Sequence, residues 1–214
     1  MLHLLTIATL ALALSGPAHG NVILANQQMD TLLQSLTQNL RDTNTHMVSV
    51  LDKKVGFSKK VGFIRIKGSA SINGQLGDLS TVRRAGDASL SQSGTVLTLQ
   101  GLFGANVGGT LRARVSWSGI KVTASIKATL KNFRAFLRVT HDLGVSGASP
   151  VLREVRLHSL GSLSVSIGGL GALDWVLSPI SKAMSGIISE VMNGWISNQL
   201  AAALRRVVKL IRLG

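Results

Sequence analysis

Ile120-Lys121-Val122-Thr123-Ala124-Ser125-Ile126-Lys127-Ala128-Thr129-Leu130-Lys131-Asn132-Phe133-Arg134-Ala135-Phe136-Leu137-Arg138-Val139 is the stretch on which the fold turns. From Ile120 to Leu130 the even positions are apolar, while Lys121, Thr123, Ser125, Lys127 and Thr129 occupy the odd ones. A period of two belongs to a half-buried strand, with one face on a core and the other in water. Beyond Lys131-Asn132 the apolar phase moves to odd positions, at Phe133, Ala135, Leu137 and Val139. A strand keeps one face on the core through such a shift only by inserting an extra residue. The spacing therefore predicts a bulge near Lys131 or Asn132 and a curved sheet.

The same alternation marks the neighbouring segments. Ile64, Ile66, Gly68, Ala70 and Ile72 share one face, with Arg65, Lys67, Ser69 and Ser71 on the other. Thr95 to Leu99 alternates too, as do Leu111 to Trp117, with Arg112 and Arg114 outward, and Val151 to Ile167. Strands following one another in this way predict an antiparallel meander. Lys53-Lys54-Val55-Gly56-Phe57 recurs as Lys59-Lys60-Val61-Gly62-Phe63. That period is too short and too isolated for a repeat architecture, and the segment reads as a loop feeding the strand at Ile64.

Helical patterns flank the meander. Between Asn21 and Thr45, Ala25, Met29, Leu32, Leu33, Leu36 and Leu40 fall on one helical face opposite Gln and Asn. After Gly168-Gly169-Leu170-Gly171 the period is helical again, with a stripe from Leu173 through Ile180, Met184, Ile187, Val191, Trp195, Leu200, Leu204 and Val207 to Ile211. Asp174 or Ser178 offers the N-cap, and Pro179 suits the first turn after Ser178. A helix from Pro179 to Arg212 would run about 51 Å, longer than a compact globule of this size. Either it breaks, near Gly194, or the molecule is elongated around it. Gly186 and Gly194 each cost about 1 kcal/mol in a helix relative to Ala. They mark a close approach of the sheet or room for a ligand, or they are simply tolerated.

The composition limits the chemistry. The chain carries 23 Lys and Arg against 9 Asp and Glu, a net charge of +14, and no Cys. Disulfide scaffolds, Cys-ligated zinc and cysteine catalysis are excluded. Leu2 to Leu14 is an apolar run broken only by His3, Thr6 and Thr9, and Ser15-Gly16-Pro17-Ala18-His19-Gly20 supplies a break and small residues. This reads as a secretory signal peptide over residues 1–20, cleaved before Asn21, although its start carries no Lys or Arg. The expectation is a secreted, extracellular chain whose single domain is residues 21–214. Its basic balance implies an anionic partner such as anionic lipid, lipopolysaccharide or a membrane surface. Aromatic residues do not interleave with the cations, which argues against nucleic acid.

Three segments together resemble a known family: Lys60-Val61-Gly62-Phe63-Ile64-Arg65-Ile66-Lys67-Gly68, Arg83-Arg84-Ala85-Gly86-Asp87-Ala88, and Ile167-Gly168-Gly169-Leu170 with Leu173-Asp174, followed by the helix to Lys209. The chain resembles the group 7 mite allergens, arthropod members of the tubular lipid-binding superfamily. That superfamily includes bactericidal permeability-increasing protein and insect juvenile-hormone-binding proteins. The resemblance implies an α+β fold, with a strongly curved antiparallel sheet wrapped around a long C-terminal helix, an N-terminal amphipathic helix and an apolar cavity between sheet and helix. Two departures are Trp175, where a Pro is expected after the Asp, and a more basic balance.

No catalytic constellation is legible. Gly-x-Ser-x-Gly and phosphate-loop motifs are absent, and the glycines at 168–171 lack dinucleotide spacing. His46, His141 and His158 are far apart in sequence, with no ligand spacing for a metal. No enzyme, metal or cofactor is expected. The expected ligand-facing residues are Ile64, Ile66, Leu97, Leu99, Val115, Trp117, Val122, Ile126, Val165 and Ile167 on the sheet, and Ile180, Met184, Ile187, Val191 and Trp195 on the helix. Most are expected to be ordinary core, and the resemblance is what raises lipid contact for them. The expected anion-binding surface is Arg112, Arg114, Lys121, Lys127, Lys131, Arg153 and Arg156, with a solvated outer face as the plainer alternative. The stretch Leu204 to Arg212 mixes cations with aliphatics as membrane-surface helices do, although cations there also complement the helix dipole. The residues thus point to a secreted binding protein for a lipid or other apolar small molecule. The alternative is a cationic innate-immunity protein acting on anionic surfaces with no internal ligand, and an extracellular scaffolding role is a third class.

Overall fold

The computed structural model describes residues 18–171, 175 and 177–210. The expected signal peptide up to Pro17, the Leu173-Asp174 match and Ile211-Arg212 lie outside the described residues. The chain opens with helix α1, Ala18–Asp42. Ala25, Met29, Leu32, Leu33, Leu36 and Leu40, its expected apolar face, are all buried. Strands β1 (Val48–Val61) and β2 (Ile64–Gly77) form a hairpin, and a 3₁₀ turn over Leu79–Thr81 leads to the short β3 (Arg83–Arg84) and β4 (Ser89–Ser93). Two long strands follow, β5 (Val96–Trp117) and β6 (Ile120–Asp142), then β7 (Val151–Ser159) and β8 (Ser162–Gly168). The chain continues through helix α2 (Leu177–Trp195), a π-helical turn over Ile196–Leu200 and helix α3 (Ala201–Val208).

All strand pairs are antiparallel. The order is β1-β2-β5-β6-β7, with β3 and β4 also on β5 and β8 also on β6. The 23 residues of β6 would reach about 75 Å if straight. Curvature shortens that span, and the bulge read from the apolar phase shift is one cause. Ala105 pairs with Phe133 but Val107 pairs with Leu130, so Lys131 and Asn132 stand opposite Asn106 alone. Asn132 takes a positive φ of 58°, and its N–H donates to the Asn106 side-chain carbonyl at 3.0 Å. Asn tolerates that backbone region better than most residues.

The sheet curls far enough that both of its edges, β1 on one side and β7 with β8 on the other, pack against α2. The opposite end is closed by α1, which packs on α3, β3, β4 and β5. Arg84 clamps α1 there: its Nε donates to Asp30 at 3.0 Å and its Nη1 to the Gly86 carbonyl at 3.0 Å. Asn26 completes the clamp by donating to Asp87 at 2.9 Å and accepting from the Ala88 N–H at 2.8 Å. The Arg83–Ala88 segment that carries part of the family resemblance is thus a structural fastening. Between the closures lies one apolar core in which Met29, Leu36, Leu99, Phe103, Ile126 and Phe133 are wholly buried.

Four local expectations are revised. The Lys53–Phe63 duplication is β1 and its hairpin turn rather than a loop, with Val55 and Phe57 buried and Lys54, Gly56 and Ser58 outward. Val151–Ile167 is two strands, separated at Leu160-Gly161, where Gly161 has a φ of +68°. The C-terminal helix begins at Leu177, so Ser178 lies inside it and Pro179 in the first turn, where N–H groups have no intrahelical acceptor. Instead of breaking at Gly194, the helix widens into the π-helical turn just after Trp195. At Gly186 and Gly194 an added Cβ would meet nothing within 4 Å, so neither glycine is there for close approach of the sheet.

Candidate functional site

The inner face of the sheet is not covered evenly along its length. On β6, Ala124, Ile126, Ala128 and Leu130 are buried, whereas Val122 is half-buried and Ile120 exposed. On β5, Ala113 and Val115 are buried and Trp117 half-buried. On β2 the series runs from buried Ile72 and Ala70, through half-buried Ile66, to Ile64 at 70% exposure. Leu163, Val165 and Ile167 of β8 and Leu177 of α2 are half-buried as well. One end of the tube therefore shows a partly open apolar face between the strand ends and the first turns of α2, and at the other end Leu152, Val155 and Leu157 of β7 are half-buried too.

Aromatic rings gather at the open end. Trp175 meets Phe57 edge-on at 5.8 Å and Trp117 edge-on at 5.5 Å, and the Lys59 ammonium lies 5.0 Å from the Trp175 ring centre. The Trp117 Nε1–H is buried with no hydrogen-bond partner among the described residues. A buried donor left unpaired costs about 1–3 kcal/mol, so this indole favours an acceptor brought by something else.

The expected ligand-facing residues separate by their surroundings. Leu97, Leu99, Val115, Ile126, Ile180, Met184, Ile187 and Trp195 sit in closed core. Trp195 also has a structural duty, since its Nε1–H donates to the Thr45 carbonyl at 3.2 Å and ties the end of α2 to the turn after α1. Ile66, Trp117, Val122, Val165, Ile167 and Val191 are half-buried. Ile64 does not face the helix as alternation suggested: the β1–β2 hairpin extends past the last β2–β5 pair, Gly68 with Trp117, and leaves Ile64 without a covering partner. Phe57 and Trp175 were missed. The first falls in the duplication read as a loop; the second lies beside the Gly168–Gly171 turn, where no period places it.

Arg112, Arg114, Lys121, Lys127, Lys131, Arg153 and Arg156 all stand exposed on the outer face. They fall into two electrostatic settings. Arg156 donates to Glu154 at 2.7 Å and Arg138 lies 3.5 Å from the same carboxylate, while both guanidinium groups cover the Phe136 ring. Arg153 donates to the Thr140 hydroxyl at 2.8 Å. Toward the open end, Arg112, Arg114, Lys121, Lys127 and Lys131 have no acidic partner among the described residues. The C-terminal stretch is not a free membrane helix: Leu204, Val207 and Val208 are buried against the core, and Arg206 reaches Asn39 of α1 at 3.2 Å. Among the described residues no three of His, Asp and Glu gather as a metal site requires.

A curled antiparallel sheet closed by a long helix, apolar within and basic without, defines an α+β tubular class of protein. Residues 24–208 match the Group 7 allergen family, and the chain belongs to that family. It is 24% identical over 222 residues to mite allergen Lep d 7 of Lepidoglyphus destructor, covering 98% of this chain and 96% of that one. Among solved structures it is similar to a crystal structure of lipopolysaccharide binding protein, with a TM-score of 0.40 and 16% identity over 88% of this chain. It spans 38% of that longer chain.

Proposed function

We propose that the protein is a secreted, non-enzymatic binding protein for a hydrophobic or amphipathic ligand of the lipid or lipopolysaccharide type. The apolar part of the ligand lies at the open end of the tube, against Trp117, Val122, Val165, Ile167, Trp175 and Leu177. The observation that carries the reading is the half-exposure of this inner apolar face beside the aromatic cluster of Phe57, Trp117 and Trp175. Burial there is worth about 0.8 kcal/mol per CH₂, so ten carbons contribute about 8 kcal/mol before the costs of association. The unpaired Trp117 Nε1–H supplies a donor for an oxygen at the polar end of the ligand. The acid-free cations of the outer face steer anionic amphiphiles toward the molecule.

Native mass spectrometry of the secreted protein, followed by lipid extraction, tests this. A stoichiometric lipid, or stoichiometric uptake of a fluorescent fatty acid by the empty protein, is the expected result. The closed core around Leu99, Ile126 and Met184 favours a second reading, a cationic innate-immunity protein that acts on anionic surfaces by its exterior. An empty protein that takes up no fatty acid but adsorbs to anionic vesicles in a salt-sensitive way would replace the first reading with the second.

A further inference from the structure

On the outer face of the sheet near the open end lies a groove of about 360 Å³, of whose lining the apolar reading uses Val122 alone. Register builds it. Lys54 pairs with Ser71, Ser71 with Arg114, and Arg114 with Thr123, which makes one cross-strand row. The next row toward the strand ends is Gly56, Ser69, Ser116 and Lys121. Rows two residues apart along a strand lie about 6.8 Å apart, and neighbours within a row about 4.8 Å. Three cations thus stand around a floor of short hydroxyl side chains, Ser69, Ser71, Ser116 and Thr123, with Ala70, Val115 and Val122 also lining the groove. Gly56 keeps the β1 side open, since a Cβ there would meet nothing within 4 Å.

None of Lys54, Arg114 and Lys121 is ion-paired among the described residues. The nearest acid described at the rim is exposed Asp52, whose carboxylate accepts from the Ser71 hydroxyl at 3.5 Å. The surroundings stay net positive with it counted. Like charges this close repel unless an anion lies between them.

We infer that this groove binds a phosphate group carried as a monoester or as free phosphate. The Arg114 guanidinium offers the planar fork that matches two phosphate oxygens, the lysines act as point charges, and the serine and threonine hydroxyls donate to the remaining oxygens. A phosphomonoester carries about −1.5 to −2 at neutral pH, which suits three cations and one rim carboxylate better than a single negative charge does. The groove exceeds what phosphate alone fills, leaving room for the first atoms of the molecule that bears it. Its charged and hydroxyl side chains lie on the opposite side of the sheet from the apolar seat and only Val122 borders both, so changes at Ser71, Arg114 and Lys121 test the groove without touching that seat.

Two probes are compared by titration at low ionic strength: inorganic phosphate, and phosphatidylcholine vesicles with and without phosphatidic acid. The variants are Arg114→Gln with Lys121→Gln, Ser71→Asp alone, and a control pair, Arg83→Gln with Lys182→Gln, that removes the same charge from exposed positions elsewhere. The groove pair should lose about tenfold in affinity per cation, Ser71→Asp about tenfold with every cation still present, and the control pair less than about twofold. Groove-dependent binding of inorganic phosphate supports the site and shows that the free ion suffices. Groove-dependent binding of phosphatidate vesicles only supports it and assigns the phosphate to a lipid headgroup. Equal losses in groove and control pairs overturn it, because the attraction is then diffuse, and so does an unmutated protein that binds neither probe.

Discussion

Replacing Trp117 separates the two things its indole does at the open end of the tube. Fully burying a Trp is worth about 3–5 kcal/mol against Ala, and Trp117 is half-buried, so truncation removes about 2 kcal/mol of packing. Loss of the edge-on contact with Trp175 at 5.5 Å removes about 1 kcal/mol more. Truncation also removes the buried, unpartnered Nε1–H, which offsets about 1–2 kcal/mol of that loss. Trp117→Ala should therefore destabilise by only about 1–2 kcal/mol. Trp117→Phe keeps most of the ring contact and deletes the orphan donor, so it should leave stability unchanged or raise it by up to about 1 kcal/mol. Urea unfolding followed by far-ultraviolet circular dichroism measures both. In the same samples, if Nε1 donates to a ligand oxygen, Trp117→Phe should weaken binding of a fluorescent fatty acid by about three- to tenfold, the worth of one neutral hydrogen bond. A Phe variant destabilised by 2 kcal/mol or more would refute the reasoning, because the indole N–H would then have a partner inside the protein.

Two glycines should respond in opposite directions to alanine. Gly161→Ala puts a Cβ into the carbonyl oxygens of Lys131 and Asn132 at a φ of +68° and should cost about 2 kcal/mol or more, whereas Gly186→Ala meets nothing within 4 Å on an exposed helical face and should add about 1 kcal/mol. Thermal melts of the pair decide it, and a stabilised Gly161 variant would contradict the described β7–β8 turn. Asp78 accepts from the Ser80 hydroxyl and the Ser80 N–H at the start of the 3₁₀ turn, and these bonds, the hydroxyl first, hold its carboxyl below the ordinary 3.8 despite opposing desolvation. Because its folded value is the lower one, its stabilisation is complete above about pH 4 and is lost as pH falls through that folded value. Urea midpoints measured between about pH 5 and pH 2 should decline more in the parent than in Asp78→Ala, and identical declines would remove Asp78 from the acid response.

Much of the fold was legible because its signals are local. Alternation in β6, its change of phase at Lys131-Asn132 and the helical stripes of α1 and α2 are patterns of adjacent residues, and each sets a face whatever packs on it. The bulge followed from the phase shift alone. The duplication at 53–63 misled because Lys-Lys and Gly resemble loop chemistry, although Val55 and Phe57 keep the strand period. Ile64 misled for a different reason: alternation assigns a side chain to a face and says nothing of how far the neighbouring strand extends.

The sequence by itself determined that this is a basic, cysteine-free α+β chain with a curved antiparallel sheet, apolar on one face and cationic on the other. Only the tertiary structure decided where that sheet is left uncovered, and hence that Trp117, Val122 and Ile167 are half-buried while Leu99 and Ile126 are wholly buried. Likewise it alone brought Lys54, Ser71, Arg114 and Thr123 into one row. Burial and register both depend on residues far apart in the chain: burial on what another element covers, register on where two distant strands align. Neither quantity is written in the spacing of neighbours.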